Sequence, residues 1–181
     1  MEVITNAIEI RSLLATDPPV ISAAFVNKPV SQYERYLAEQ AAGRRVCLVA
    51  TVDGGFAGYV TVNWSPAYPP FLEMKIPEIQ DLNVVPELRR MGVATRLLDR
   101  AEAAIGERAG VAGIGVGLHP GYNAAQRLYV KRGYVPDGRG LTYRNEFVQE
   151  GMAVVLDDAL VLHLTKSLST NSSRLPHGSS T

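Results

Sequence analysis

Charge of one sign is missing from this chain: Lys+Arg and Asp+Glu each number 18 in 181 residues, for a formal net charge of zero. A general nucleic-acid binder shows a basic excess or a one-sided basic stripe, and neither is present. The one cysteine, Cys47, excludes an intramolecular disulfide framework and offers no metal-ligand cluster, so no metal is expected. It lies in the apolar run Val46-Cys47-Leu48-Val49-Ala50 and reads as a buried strand residue, because free cysteine packs as a small hydrophobe. No apolar stretch approaches the ~18 residues of a membrane span. The first residues lack a basic region followed by an apolar run, so no signal peptide is expected. These absences together point to the cytoplasm. No internal repeat is visible.

What is present is an ordered alternation of elements. Ile8-Glu9-Ile10-Arg11 alternates as a strand does. Asp17-Pro18-Pro19 offers a helix cap before proline, predicting a short helix over about residues 20–27. Ser31 and Glu34 have the spacing of a capping box at the head of a helix over about 32–42, closed by Gly43. Arg45–Val52 and Phe56–Asn63 form a hairpin around Asp53-Gly54-Gly55. The stretch Trp64–Phe71, rich in proline and aromatics, cannot continue a central strand and reads as a loop. It either lines a pocket or covers the core.

A strand follows at Glu78–Val85, stopped by Pro86, then a helix from about Gly92 to Arg108 with Val93, Leu97, Leu98, Ala101 and Ile105 at helical spacing. Residues 111–118 read as a glycine-interleaved strand, about 123–132 as a helix ended by Gly133, and Tyr134-Val135 as the start of a short strand. Residues 159–164 read as a last strand. A hairpin followed by strand-helix-strand-helix predicts an α/β (α+β) fold, a mixed sheet with helices on both faces. Residues 167–181, rich in Ser and Thr, have nothing to bury and read as a disordered tail after a single domain of residues 1–166.

The chemistry concentrates where the strand ending at Val85 runs through Arg89-Arg90-Met91-Gly92-Val93-Ala94-Thr95 into a helix. Amides at a helix start are unsatisfied and carry the positive end of the dipole. Gly92 and Ala94 are small enough for a phosphate oxygen to approach them, and Arg89 and Arg90 strengthen the anion site. There is no Gly-Lys-Ser/Thr of a nucleotide P-loop and no three-glycine dinucleotide fingerprint.

The stretch Val84-x-Pro86-x-x-Arg89-Arg90-x-Gly92-Val93-Ala94 after an apolar strand resembles motif A of the GNAT superfamily of general-control-related N-acetyltransferases. Asn123-Ala124-Ala125-Gln126-Arg127-Leu128-Tyr129-Val130-Lys131-Arg132-Gly133-Tyr134 is similar to that family's motif B, in the right order and at the right distance. The resemblance covers roughly residues 8–165. It implies a mostly antiparallel sheet of about six to seven strands, splayed at the centre, and acetyl-CoA as cosubstrate. Its pyrophosphate would lie on Arg89 to Thr95, and its pantetheine arm along the backbone of Leu82 and Val84. The glycines of 113–117 are compatible with such close approach.

Asn123 is expected to cap its helix and, by the resemblance, to contact the cofactor arm. Tyr129 stands where the family often places a tyrosine near the cofactor sulfur. A phenol of pKa about 10 stays protonated at neutral pH yet can hand its proton to a departing thiolate.

An alkylamine acceptor must first lose a proton, at about 4–5 kcal/mol at pH 7. Glu78 matches the position of the general base in the histone-acetylating branch of the family. Asp81 is the rival, on the opposite strand face by simple alternation unless a bulge upsets the parity. His119, in a turn after a strand, reads as structural or solvated. The reading is therefore an N-acetyltransferase moving an acetyl group from acetyl-CoA to a primary amine by direct attack in a ternary complex. The acceptor is a small molecule or a protein amino group, with neither nucleic acid nor membrane as partner. Family members are often dimers, so a homodimer is an expectation of the resemblance alone. Two other readings stay open: an acyl-CoA-binding sensor of the same fold that has lost turnover, and a nucleotide-binding domain using the same turn.

Overall fold

In the computed structural model, which describes residues 7–168, eight strands form one sheet. In chain order they are β1 (Ile8–Ser12), β2 (Arg45–Val52), β3 (Gly55–Asn63), β4 (Glu78–Val84), β5 (Val111–Gly117), β6 (Val135–Tyr143), β7 (Glu146–Phe147) and β8 (Leu160–Ser167). The spatial order is β1-β2-β3-β4-β5-β8-β6-β7. Every neighbouring pair is antiparallel except β4 and β5, which run parallel and pair only at Glu78↔Gly113 and Ile79↔Ile114. Beyond Ile79 the two strands part, and the sheet splays at its centre as expected.

The helices are α1 (Asp17–Ala24), α2 (Val30–Ala41), α3 (Pro69–Glu73), α4 (Val93–Gly106) and α5 (Asn123–Lys131). Val93, Leu97, Leu98, Ala101 and Ile105 of α4 are all buried, so the apolar stripe read at helical spacing is the buried face. With Tyr129 of α5 and Tyr134 they join Leu48, Ala50, Val60, Val62, Ile79 and Ile114 in the larger core on one face of the sheet. Arg132 clamps the two helices together by donating to Glu102 and Asp99. On the other face, Ile21 of α1 and Tyr33 and Tyr36 of α2 pack on Cys47, Val49 and Tyr59. Odd positions of β2 therefore face α1 and α2, and even positions face α4, as a period of two requires. Cys47 is buried, as its apolar surroundings predict.

Several local expectations are corrected. Helix α2 starts at Val30 after Pro29 with no side-chain cap, so Ser31 and Glu34 make no capping box; proline fixes the extended entry instead. Asp17 is the first residue of α1 and turns back, accepting from the Leu14 amide and from Arg11. The β2–β3 turn has two central residues, Asp53 and Gly54, both at positive φ, which matches the right-handed twist of the strands. The aromatic stretch is not all loop. Tyr68 and Phe71 are buried as it closes into α3, and Trp64 packs partly buried against the core beneath Arg108.

Strand β6 is long, and β7 was not foreseen. Pro136, Gly138 and Gly140 erase the strand signal of β6, and the register shift between Pro136 and Leu141 absorbs them. Strand β8 runs on to Ser167, and the Leu168 amide bonds to Gly110. Residues 167 and 168, expected in the tail, thus belong to the sheet and its edge, and residues 169–181 lie outside the described residues.

Candidate active site

The anion cradle is built by backbone. After β4 a 3₁₀ turn at Pro86–Leu88 leads into Arg89, Arg90 at φ 65° and Gly92 at φ 88°, the cap residue of α4. The first helical hydrogen bond runs from the Arg96 amide to Gly92. The amides of Val93, Ala94 and Thr95 therefore have no acceptor within the helix. No side chain caps this end. Nothing stands within 4 Å of where a Gly92 side chain would be, and Arg89, Arg90 and Met91 are exposed around the opening. Free amides at a dipole's positive end, two arginines and open space fit a phosphate-bearing group.

Leading away from the cradle is the gap between β4 and β5. Leu82 and Val84 turn their side chains to the larger core. Their strand pairs with β3 on one edge and parts from β5 on the other. At this place β3 comes so close that any side chain at Gly58 would strike the Asn83 carbonyl. The glycines of β5 make room for side chains packed on the strand. Gly113 makes room for the Phe71 ring, Gly115 for Val161 and Glu78, and Gly117 for the Tyr122 ring.

Tyr129 is buried in the larger core, with its ring 6.1 Å from that of Tyr134. Burial, followed by the neighbouring Tyr122, holds its phenol well above the ordinary range, so it stays protonated. Asn123 is exposed and lies inside the first turn of α5 rather than at its cap. The capping expectation fails because the preceding 3₁₀ turn at Pro120–Tyr122 already delivers the chain in helical conformation.

The two carboxylates meet on one face. Asp81 has φ 55° and sits at an irregularity in the β3–β4 register. This bulge overturns the simple alternation and turns Asp81 to the α1–α2 face, with Glu78 and Gln80. There Lys28, from the α1–α2 connection, makes an ion pair with Asp81 and also donates to the Tyr59 hydroxyl, while Tyr36 donates to the other Asp81 oxygen.

Glu78 is 7% exposed. Burial raises its carboxyl from the usual 4.5 to about 7, against a hydrogen bond from Gln80 and the charge of Arg45, both of which lower it. The Gln80 Nε2 to Glu78 Oε2 distance is 2.7 Å. His163 of β8 brings Nε2 to 3.9 Å from Glu78 Oε1. Burial lowers its pKa to about 4, so at neutral pH the imidazole is uncharged and this approach is neither an ion pair nor a hydrogen bond. The His163 ring stacks on Tyr68 at 3.6 Å, so one of the aromatics read as pocket or cover backs this site. His119 is structural: Nδ1 accepts from Gly121, Nε2 meets Asp158 at 2.8 Å, and Tyr122 bonds the same carboxylate.

Sequence reasoning missed Gln80, Arg45, His163 and Lys28. Gln80 was within reach, since period-two alternation puts it on the face of Glu78. His163 and Lys28 come from distant segments and left no local signal.

The fold recurs in solved proteins. YncA of Salmonella typhimurium, solved with its cofactor acetyl-CoA, superposes with a TM-score of 0.67 at 18% identity, over 93% of this chain and 98% of that one. The ribosomal-protein-alanine N-acetyltransferase of Brucella melitensis gives 0.66 at 18%, covering 88% and 99%. A spermidine N-acetyltransferase chimera built from the Vibrio cholerae enzyme gives 0.64 at 15%, covering 88% and 95%. No curated protein matches the chain. Residues 8–134 match the acetyltransferase (GNAT) family. Motif, splayed sheet and sequence match agree: the chain belongs to the GNAT family of acetyltransferases.

Proposed function

We propose that this protein transfers an acetyl group from acetyl-CoA to a primary amine by direct attack in a ternary complex, with Glu78 as general base and Tyr129 as general acid. In this reading the catalytic unit is one domain, expected over residues 1–166 and extended by the sheet through Leu168. The observation that carries it is the place of Glu78: a buried carboxyl on the strand that borders the splay, pushed up to about 7 by its burial. A base with its pKa near the working pH is half ionised there and still able to take a proton.

Bound acetyl-CoA supplies an activated carbonyl and a thiolate leaving group. The chain's own part is to hold it and move two protons. The amides of Val93, Ala94 and Thr95, with Arg89 and Arg90, grip the phosphates; Met91 and Gly92 complete the turn. The backbone of Leu82 and Val84 runs along the arm, and Asn123 contacts it from α5. Glu78 accepts one proton of the incoming ammonium, directly or through water, and the neutral amine attacks the carbonyl. As the C–S bond breaks, Tyr129, protonated through its burial, gives its proton to the departing thiolate and is restored by the second proton that the acetylated nitrogen sheds. Support for the cosubstrate comes from the cradle's free amides and from YncA, which was solved with acetyl-CoA. Support for an amine acceptor comes from neighbours named for spermidine and for a ribosomal protein.

Thiol release with acetyl-CoA and a panel of amines, peptides and antibiotics tests the reading. Glu78→Gln is expected to lower kcat by about 10²–10⁴-fold and to remove the acidic limb near pH 7. Tyr129→Phe is expected to lower kcat at saturating substrates. An acidic limb that survives in Glu78→Gln removes it as base, and unchanged turnover in Tyr129→Phe removes that residue from the mechanism. Tight cofactor binding with no release across the panel would make the protein an acyl-CoA sensor.

A further inference from the structure

Behind Glu78 lies a chain of polar groups that the proposed reaction does not use directly. Gln80 donates through Nε2 to Glu78 Oε2 at 2.7 Å and accepts through Oε1 from Arg45 Nη1 at 3.0 Å. Arg45 is 8% exposed. It is fixed by the Glu39 carboxylate, by Thr61 Oγ1 at 2.9 Å and by the Tyr36 ring, 4.5 Å from the guanidinium. We propose that Arg45 and Gln80 form a positioning relay: the guanidinium dictates which end of the Gln80 amide faces Glu78, so the Glu78 carboxylate always meets a donor.

The orientation follows from the partners. A guanidinium has donors only, so the amide oxygen must face Arg45, and the amide nitrogen is then the end left for Glu78. A flipped amide would set nitrogen against guanidinium and oxygen against carboxylate, leaving buried groups unpaired on both sides. Thr61 helps to fix the guanidinium, since its hydroxyl accepts from Arg45 and donates to the Gln80 backbone carbonyl at 3.4 Å. Arg45 can stay charged while buried because Glu39 of α2 pairs with it.

The remaining groups facing Glu78 give no such donor. Asp81 on the same strand repels its charge. His163 of β8 is uncharged at neutral pH and stands at 3.9 Å. Gly115 of β5 contributes only space. Burial alone would push the carboxyl further up, and a base that stayed protonated at pH 7 could not accept a proton. The relay opposes that rise from the side away from the splay.

The inference rests on Glu78 being the base only for its kinetic consequence, and one readout needs no turnover. The carboxyl of Glu78 is followed by carbon-13 NMR titration of the full chain, assigned with Glu78→Gln, in wild type, Gln80→Leu and the isosteric Gln80→Glu. Both Gln80 variants are expected to move the titration upward by about one unit or more, the scale of a hydrogen bond to a charged group. The same shift is expected in the acidic limb of kcat. Most of the activity lost at pH 7 should return at high pH, which a merely structural defect would not allow. If Gln80→Leu does not fold, Gln80→Glu carries the comparison. A Glu78 titration unmoved in the variants overturns the relay. A titration that moves while the kinetic limb stays put leaves the relay standing and removes Glu78 as base.

Discussion

Asp81 turns to the α1–α2 face through a backbone conformation that non-glycine residues seldom adopt, φ 55°, and it is met there by the chain's own ammonium, Lys28. Such local strain persists where surrounding contacts over-determine it, and here Tyr36, Tyr59 and Lys28 supply those contacts. With Asp81 paired, Glu78 is the carboxylate on this strand face without a cationic partner of its own. Lys28→Met should therefore favour acceptors that bring a second ammonium. The kcat/KM ratio of a diamine to the monoamine of equal length is expected to rise several-fold, in line with about 1 kcal/mol for a partly exposed ion pair. Adding Asp81→Asn should cancel the gain. Paired rate measurements on the three proteins decide it, and an unchanged ratio in Lys28→Met would show that the cleft is blind to this charge.

At the scale of elements, one strand, one turn and one helix do most of the positioning. Gly92 gives α4 its left-handed cap at φ 88°, with open space around it, so Gly92→Ala meets no clash and acts through the backbone alone. It is expected to cost about 1 kcal/mol and to lower Tm by roughly 2–4 °C. The KM for acetyl-CoA should rise more than kcat falls, because in the proposed mechanism the displaced amides bind phosphate and do not touch the reacting carbon. Calorimetry and cofactor titration together check this; a kcat loss at unchanged KM would count against the cradle. The turn and α4 were legible in the sequence because a glycine before an apolar stripe encodes them locally. So was the β2–β3 hairpin, through Asp53-Gly54. The bulge at Asp81 was legible only as an exception to alternation, since its cause is the register of β3 against β4. Gln80 could have been placed by parity, whereas His163 and Lys28 reach Glu78 and Asp81 through tertiary folding and could not. Strand β6 hid behind its own Pro136, Gly138 and Gly140.

Across the whole molecule, the balanced charge of 18 against 18 conceals groups that respond to pH in opposite directions. Asp17, Glu102 and Asp158 are held below the ordinary carboxyl range, each against desolvation, by hydrogen bonds from Arg11, from Arg132 and Lys166, and from His119. Their contribution to stability is present near neutrality and is lost as pH falls through their folded-state values. Glu78 works the other way. Its carboxyl rises from 4.5 unfolded to about 7 folded, so below about 4.5 both states are protonated and its ionisation costs nothing. Between about 4.5 and 7 the unfolded chain has ionised this carboxyl while the folded protein keeps it protonated, so stability falls across that window and levels off above it. The gap corresponds to at most about 3 kcal/mol. Glu78→Gln removes this cost and leaves the other three carboxylates in place, so they cancel in the difference between the two proteins. The variant is expected to exceed the wild type by about 1–3 kcal/mol at pH 8, with the advantage shrinking to nothing near pH 4. Urea melts of both proteins across that range measure it. A difference that stays constant with pH would mean that packing, not ionisation, separates them, and that Glu78 is not the strained acid its proposed role as base requires.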